Sequence, residues 1–437
     1  MRWITSQIGA REHYAIPRVL HCERKLERLY TDFWATAPWR VLGKLTGKGS
    51  LATRCHADLA GALITSFNLQ ALKVSRQRFA SPYEGFLEVG KAFGRSVVRD
   101  FEKRSRNEGR GTRAKRSSSD PIALDARRST LDSALIFFSY DTGFLEPAQW
   151  IKARGGKSIV CQMDPARYEI DLVKAEEKRW PGWAKHSVQV PEAYIKRREA
   201  EWAAADLVMV NSEWTKAALI RQGVAEDKIV IVPLAYEAPP DKGRGTRDEG
   251  YGIAEKSSRR STFDSRHPLR VLFLGQVILR KGIQYLIEAA RLLEKEPIHF
   301  DVVGSIGISE MAITSAPSNT TFHGPVSRDR TEAFYRSADL FVLPTLSDGF
   351  ALTQLEAMAH GLPVIATPNC GEVVSDAVDG LIVPASDANA LAEAFQLLLQ
   401  DPEKLQRMSE ATGAKLEQFS LARLGYNLAE LEKRLIV

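Results

Sequence analysis

The sequence predicts an α/β protein built from two doubly wound, Rossmann-like domains facing each other across a cleft. Three observations predict it: the length of 437 residues, the alternation of short apolar runs with helical stretches, and a break in that alternation near residue 240. A chain of this length exceeds one ordinary domain and fits two. Alternating strands and helices produce parallel sheets covered on both faces. Ligands in such folds sit at the carboxyl ends of the strands, and two facing domains make the cleft the expected site.

Arg2–Ser6 reads as a strand, and Gly9 to about Tyr30 as a loop followed by a helix. The runs ALIFFSY at Ala134–Tyr140 and KSIVCQ at Lys157–Gln162 are continuous apolar stretches, as in strands buried on both faces. Glu199–Ala205 closes a helix before the strand Leu207–Asn211. Ser212 is an N-cap for Glu213–Gln222, with Gly223 as its stop. Ile229–Pro233 is the last strand of this series.

The second series has strands at Arg270–Leu274, His299–Val303, Leu340–Pro344, Pro363–Ala366 and Gly380–Val383. Its helices fall at Gly282–Glu294, Arg330–Ser337, Gln354–His360 and Ala388–Leu399. The domain limits expected are 1–236, a linker over 237–267, a second domain over 268–419, and a closing helix over 420–437 that crosses back to the first domain.

Composition narrows the function classes. Hydrophobic residues make up 44% of the chain, ordinary for a soluble globular protein. No apolar run approaches the roughly 20 residues needed to span a bilayer. The opening MRWITSQIGAREHY lacks a signal-peptide core, so a cytoplasmic location is expected, with a peripheral place at the inner membrane face as an extension. Cys22, Cys55, Cys161 and Cys370 form no C-x-x-C pair and are expected to be buried free thiols.

The net charge of +6 is concentrated in two tracts. Residues 103–132 hold nine Lys/Arg against four Asp/Glu, and residues 241–266 hold seven against five. Both contain GRGTR, from Gly109 and Gly243, and both go on to RRST, an apolar residue, then Asp-Ser. They are poor in apolar residues and are expected to be disordered surface insertions. A nucleic-acid binder would carry its basic residues on an ordered face, so no nucleic-acid partner is expected. Trp150, Lys152, Arg154, Lys178, Arg179, Trp180 and Trp183 form a candidate membrane contact, though such Trp clusters are more often packing residues.

The stretch PTLSDGFALTQLEAMAHGLPVIATPNCGE, from Pro344 to Glu372, carries the chemistry. A strand end is followed by a loop with Asp348 and Gly349, then by a helix bearing Glu356. A nucleotide sugar needs bare N–H groups at a helix start for its diphosphate, and a nearby cation. Gly349, Phe350, Ala351 and Leu352 would present the N–H groups. Carboxylates accept from sugar hydroxyls, and Asp348 and Glu356 could flank one elongated ligand.

This segment resembles the signature of retaining GT-B-fold glycosyltransferases of the family 4 type, also called glycosyl transferases group 1. The resemblance implies that Asp348 touches the transferred sugar and Glu356 the ribose. This chain has Asp where the family usually has Glu. LFLGQVILRKGIQYLIEAARLL, from Leu272, resembles the family's strand–Gly–Arg–loop–Lys-Gly–helix. It implies a diphosphate contact for Gly275 and Lys281; the family's Arg is here Gln276, and Arg280 is placed to supply its charge. EWAAADLVMVNSEWTKAALIRQGVAEDKIVIVPLAYE, from Glu201, and Tyr426–Ile436 resemble the family's domain crossovers.

In the first domain, SQIGAREHY from Ser6 to Tyr14 holds Gly9, the candidate for close approach to the diphosphate. Arg11 and His13 are acceptor-side candidates. Many relatives carry a cleft His where this chain reads CQMDPARYE from Cys161, so Gln162 and Asp164 stand there instead. There is no D-x-D in the chain, so no metal site and no cofactor are expected. The resemblance implies hexosyl transfer with retention from a nucleoside-diphosphate sugar to a glycan or lipid-linked acceptor in polysaccharide biosynthesis. The alternatives are a catalytically weakened nucleotide-sugar-binding protein and a GT-B relative such as an epimerase or a sucrose or starch synthase.

Overall fold

The computed structural model describes residues 1–36, 54–74, 77–114, 135–187, 189–237 and 267–436. The N-terminal domain begins with β1 (Arg2–Gln7), α1 (Ala15–Cys22), β2 (Leu26–Thr31), β3 (Ile64–Ser66), α2 (Asn68–Val74) and α3 (Pro82–Ala114). It continues with β4 (Leu135–Tyr140), α4 (Leu145–Lys152), β5 (Lys157–Gln162), α5 (Arg167–Arg179), α6 (Glu192–Ala204), β6 (Leu207–Val210), α7 (Glu213–Arg221) and β7 (Ile229–Ile231). The strands form one sheet in the order β3-β2-β1-β4-β5-β6-β7, all parallel.

The C-terminal domain holds β8 (Leu269–Leu274), α8 (Ile283–Leu292), β9 (Ile298–Val303), α9 (Glu310–Thr314), β10 (Thr320–Gly324), α10 (Arg328–Ser337) and β11 (Leu340–Leu343). After these come α11 (Leu352–Ala359), β12 (Val364–Ala366), β13 (Gly380–Ile382), α12 (Ala388–Gln400), α13 (Pro402–Leu416) and α14 (Leu421–Ile436). The second sheet runs β10-β9-β8-β11-β12-β13, also parallel. Both sheets reverse direction of winding beside their first strand, between β1 and β4 and between β8 and β11. Those switch points leave crevices at the strand ends where α/β folds bind ligands.

The central strands are apolar throughout because helices cover both faces. Every residue of β4 is buried, and so is every residue of β11. Edge strands differ: β10 alternates between half-buried and exposed positions. The closing helix packs on the first domain. Leu424, Leu428, Leu431 and Leu435 line one face of α14 at spacings of four, three and four, and pack with Ile16, Val19 and Leu20 of α1. The Met1 ammonium pairs with Glu432 at the same junction.

Three sequence expectations change. The region from Gly9 to Tyr30 is not one loop and helix: α1 stops at Cys22, and Leu26–Thr31 pairs with β1 as a strand. The helix α3 runs into the first basic tract as far as Ala114, so residues 103–114 are helical. The rest of that tract, and all of 241–266, lie outside the described residues. Cys161 and Cys370 are buried, but Cys55 is half-buried and Cys22 exposed. The rings of the Trp cluster pack: Trp180 lies edge-on to Trp183 and Tyr285, 4.8 and 5.7 Å between ring centroids, and Trp150 packs on Phe101 at 5.0 Å. Among the described residues no helix is long and apolar enough to cross a membrane.

Candidate active site

The C-terminal half of the site forms where β8 and β11 end side by side. After β8 the chain makes a short 3₁₀ turn, Leu279–Lys281, closed by Gly282 in the left-handed conformation at φ 72°. A Cβ at Gly282 would lie 1.8 Å from the Pro344 carbonyl oxygen. Only glycine lets this basic turn sit directly on the end of β11. The Arg280 carbonyl then accepts from the Leu346 N–H at 2.9 Å and the Thr345 hydroxyl at 3.2 Å.

This stitching brings the basic pair to the acidic loop. The Arg280 guanidinium donates to the Ser347 carbonyl at 2.8 Å and lies 3.9 Å from the Asp348 carboxylate. The Lys281 ammonium is in direct contact with Asp348. Both cations are largely buried (22% and 13% side-chain exposure), so they are not a solvated loop pair. The sequence reading set Lys281 and Asp348 at separate stations along a ligand; the fold pairs them.

The proposed N–H cradle is narrower than expected. Gly349 is tight against the other domain: a Cβ there would lie 1.7 Å from the Met163 carbonyl oxygen. Its lack of a side chain therefore serves domain contact. The Ala351 N–H donates to the Cys370 carbonyl at 3.1 Å. Phe350 packs on Phe419, 5.6 Å between centroids. Helix α11 starts at Leu352 with no side-chain cap, and its Gln354 N–H turns back to the Ala351 carbonyl at 3.2 Å. Gly275 ends β8 with open space beyond its Cα: nothing lies within 4 Å of a Cβ built there.

Glu356 accepts from the Tyr335 hydroxyl at 2.8 Å. The Tyr335 ring stacks on His360 with centroids 4.9 Å apart and planes 12° from parallel. Glu356 is thus held against α10 by its Tyr335 partner.

The first domain contributes the opposite wall through the loop after β1. Gly9 has φ 82°, and its N–H donates to Asp32 at 2.8 Å, so that N–H is already partnered within the first domain. Glu12, His13 and Tyr14 follow with φ of 49°, 49° and 63°. Three consecutive non-glycine residues in this region store strain, which proteins retain chiefly at functional sites. The turn carries His13 across the cleft, where the Arg328 guanidinium of α10 donates to its Nε2 at 3.2 Å. Burial and Arg328 both push the His13 pKa down, so the imidazole is neutral at pH 7. Arg11 is exposed, with its guanidinium 5.5 Å from the centre of the Tyr140 ring.

Gln162 and Asp164 do not reach the cleft as free groups. Gln162 is fully buried, accepting from Trp202 Nε1 at 3.0 Å and donating to the Asp164 carbonyl at 2.9 Å. Asp164 accepts from Arg198 at 2.5 Å and from the Ala166 N–H at 2.8 Å. Burial works to raise the Asp164 carboxyl, but Arg198 outweighs it and holds the group below the ordinary range. An ion-paired carboxylate of that kind is a poor general base.

Two acids with no sequence signal stand at the site. Glu169, on α5, accepts from the Ser347 hydroxyl at 2.8 Å and lies 3.5 Å from Arg280. Ser347 in turn accepts from Trp214 Nε1 at 3.1 Å. Burial raises the Glu169 carboxyl to about 7. Glu12 accepts from the Tyr140 hydroxyl at 2.9 Å, and burial raises it to about 7 as well. Neither acid has a local motif; each matters because the fold brings it against residues more than a hundred positions away.

Against this geometry, residues 268–401 match the family model for glycosyl transferases group 1. A D-inositol 3-phosphate glycosyltransferase of Xylanimonas cellulosilytica is 28% identical over 53% of this chain and 58% of its own length. The amylovoran biosynthesis glycosyltransferase AmsK of Erwinia amylovora is 28% identical over 46% of this chain and 53% of its own. The chain thus spans about half the length of the curated relatives it matches. Among solved structures, Anabaena HepE in complex with UDP and glucose aligns over 99% of both chains with a TM-score of 0.57 and 12% identity. Sucrose-phosphate synthase of Thermosynechococcus elongatus aligns over 100% of this chain and 99% of its own, with a TM-score of 0.59 and 16% identity. The fold is that of the two-domain GT-B proteins. The match to the glycosyl transferases group 1 model covers the C-terminal domain.

Proposed function

We propose that this protein transfers a hexose from a nucleoside-diphosphate sugar to a hydroxyl of a glycan or lipid-linked acceptor, with retention and without a metal ion. The observation that carries the reading is the placement of Arg280, Lys281 and Asp348 together at the switch point of a glycosyl transferases group 1 domain. A leaving diphosphate gains negative charge as the sugar passes through an oxocarbenium-like transition state. Lys281, Arg280 and the start of α11 supply positive charge and dipole where that charge develops. Asp348, released from Lys281 by the diphosphate, orients the sugar, and Glu356 holds the ribose. The solved relative bound to UDP and glucose and the relative in amylovoran biosynthesis support a nucleotide-sugar donor and a polysaccharide pathway for this chain.

The test is release of nucleoside diphosphate from a panel of UDP-, GDP- and ADP-sugars, with mixed glycan and glycolipid acceptors, in excess EDTA. Turnover in EDTA with an anomeric configuration matching the donor supports the reading. Turnover only on addition of Mg²⁺ or Mn²⁺ rejects metal independence, and an inverted product rejects retention. Donor binding without turnover on any acceptor would favour the binding-protein alternative.

A further inference from the structure

The N-terminal domain holds a cavity of about 550 Å³ between α2 and the first turns of α3, within the range of small-molecule sites. Phe67, Phe79, Phe86, Val89 and Phe93 wall it, and Asp32 closes its inner end. Its mouth is apolar too: Phe86, on the cavity wall, is 54% exposed, and helix α2 buries none of its residues. A large aromatic side chain left in water at the edge of an apolar hollow fits a binding site.

The inner end lies against the loop after β1. One oxygen of Asp32 accepts from Gly9 N–H at 2.8 Å, and the other from Arg54 at 2.7 Å. Phe93 and Ile8 close together over Gly143, 3.2 and 3.4 Å from a Cβ built there. The cavity therefore backs onto the loop after β1, the wall opposite the donor site. Gln70, Gln77 and Ser81 join Asp32 in the lining, but a free sugar needs hydrogen-bonding groups on all sides, and most of this wall is aromatic and aliphatic carbon.

We propose that the cavity holds the hydrocarbon part of the acceptor, an alkyl or isoprenoid chain, while its hydroxyl-bearing end passes Asp32 into the cleft. The assignment rests on the transfer reading above and names the lipid-linked half of its acceptor class.

The test uses the full chain and methyl, octyl, decyl and dodecyl β-glucosides below their micelle concentrations, measured by displacement of anilinonaphthalene sulfonate. Affinity should rise about tenfold for each two methylenes added from octyl to dodecyl, as burial of CH₂ groups requires, with no binding of the methyl glucoside. Ala71→Trp and Val89→Trp, both on the cavity wall, should each weaken dodecyl glucoside at least tenfold and leave the melting shift with nucleoside diphosphates unchanged, which also reports their folding. Affinity independent of chain length would overturn the proposal, as would wild-type binding in both folded variants. Capture on phosphatidylglycerol vesicles without glucoside binding would overturn it by making the patch a membrane contact. If chain-length-dependent binding holds but no nucleotide shifts the melting point, the transfer reading has failed and the cavity is not an acceptor site.

Discussion

Lys281 and Asp348 neutralise each other across the ends of β8 and β11, so a diphosphate must compete with a carboxylate for the ammonium. That competition gives Lys281→Ala two effects. It removes the charge that stabilises the leaving group, and it leaves Asp348 with Arg280 alone. Turnover should fall at least tenfold in steady-state kinetics, corresponding to about 1.4 kcal/mol or more of transition-state stabilisation; an unchanged kcat/KM would remove Lys281 from the mechanism. Glu356→Gln should act chiefly on donor KM, because ribose contacts are made alike in ground and transition states. Glu169 gives a pH prediction. Its folded pKa is raised from 4.5 to about 7, so its contribution is full below its ordinary value and is lost as pH rises through about 7. Between pH 5.5 and 8 the wild-type melting temperature should fall more steeply than that of Glu169→Gln; parallel curves would contradict the assignment. The residues readable in advance, Arg280, Lys281, Asp348 and Glu356, sit in short contiguous segments whose neighbours declare strand, loop and helix. Glu12, Asp32 and Glu169 were not readable, because their roles arise only where distant segments meet.

At the scale of elements, the central strands and the helices between them follow from apolar runs and caps. Ser212 accepts from the Thr215 N–H, as a cap should, and Gly223 has φ 90°. Edge elements escaped for a physical reason. The strand LERLYT at Leu26–Thr31 buries only its last three residues, so its pattern resembles a helix continuing from α1. The strand at Thr320–Gly324 has no fully buried residue and no apolar run to announce it. The helix α14 is held by a leucine seam, and Arg18 of α1 adds ion pairs to Asp58 and Glu237 at 2.6 Å each, tying α1 to the start of the crossover segment. Leu428→Ala should cost about 2–5 kcal/mol and loosen α14 from the first domain; amide exchange in α14 that stayed as slow as in wild type would show that the seam does not hold it.

At the scale of the whole molecule, the cleft is a joint as well as a binding site. Gly349 against Met163, Ser347 against Glu169 and Trp214, and His13 against Arg328 all bridge the two domains at the proposed donor site. Gly349→Ala would drive a methyl group into the Met163 carbonyl, so the domains should separate slightly and donor affinity should drop together with the melting temperature. The two-domain plan was readable from alternation and length, whereas the closeness of the two walls was not, since a glycine that serves domain contact and one that serves a ligand look alike in sequence. The central claim is that Lys281, Asp348 and Glu356 bind one nucleoside-diphosphate sugar, and a thermal-shift series with UDP, GDP, ADP and their sugars tests it most directly. At about a hundredfold excess over Kd, one nucleotide family should raise the melting temperature by roughly 3 °C or more, and Lys281→Ala should lose most of that shift. No shift with any nucleotide, or an equal shift in Lys281→Ala, would contradict it.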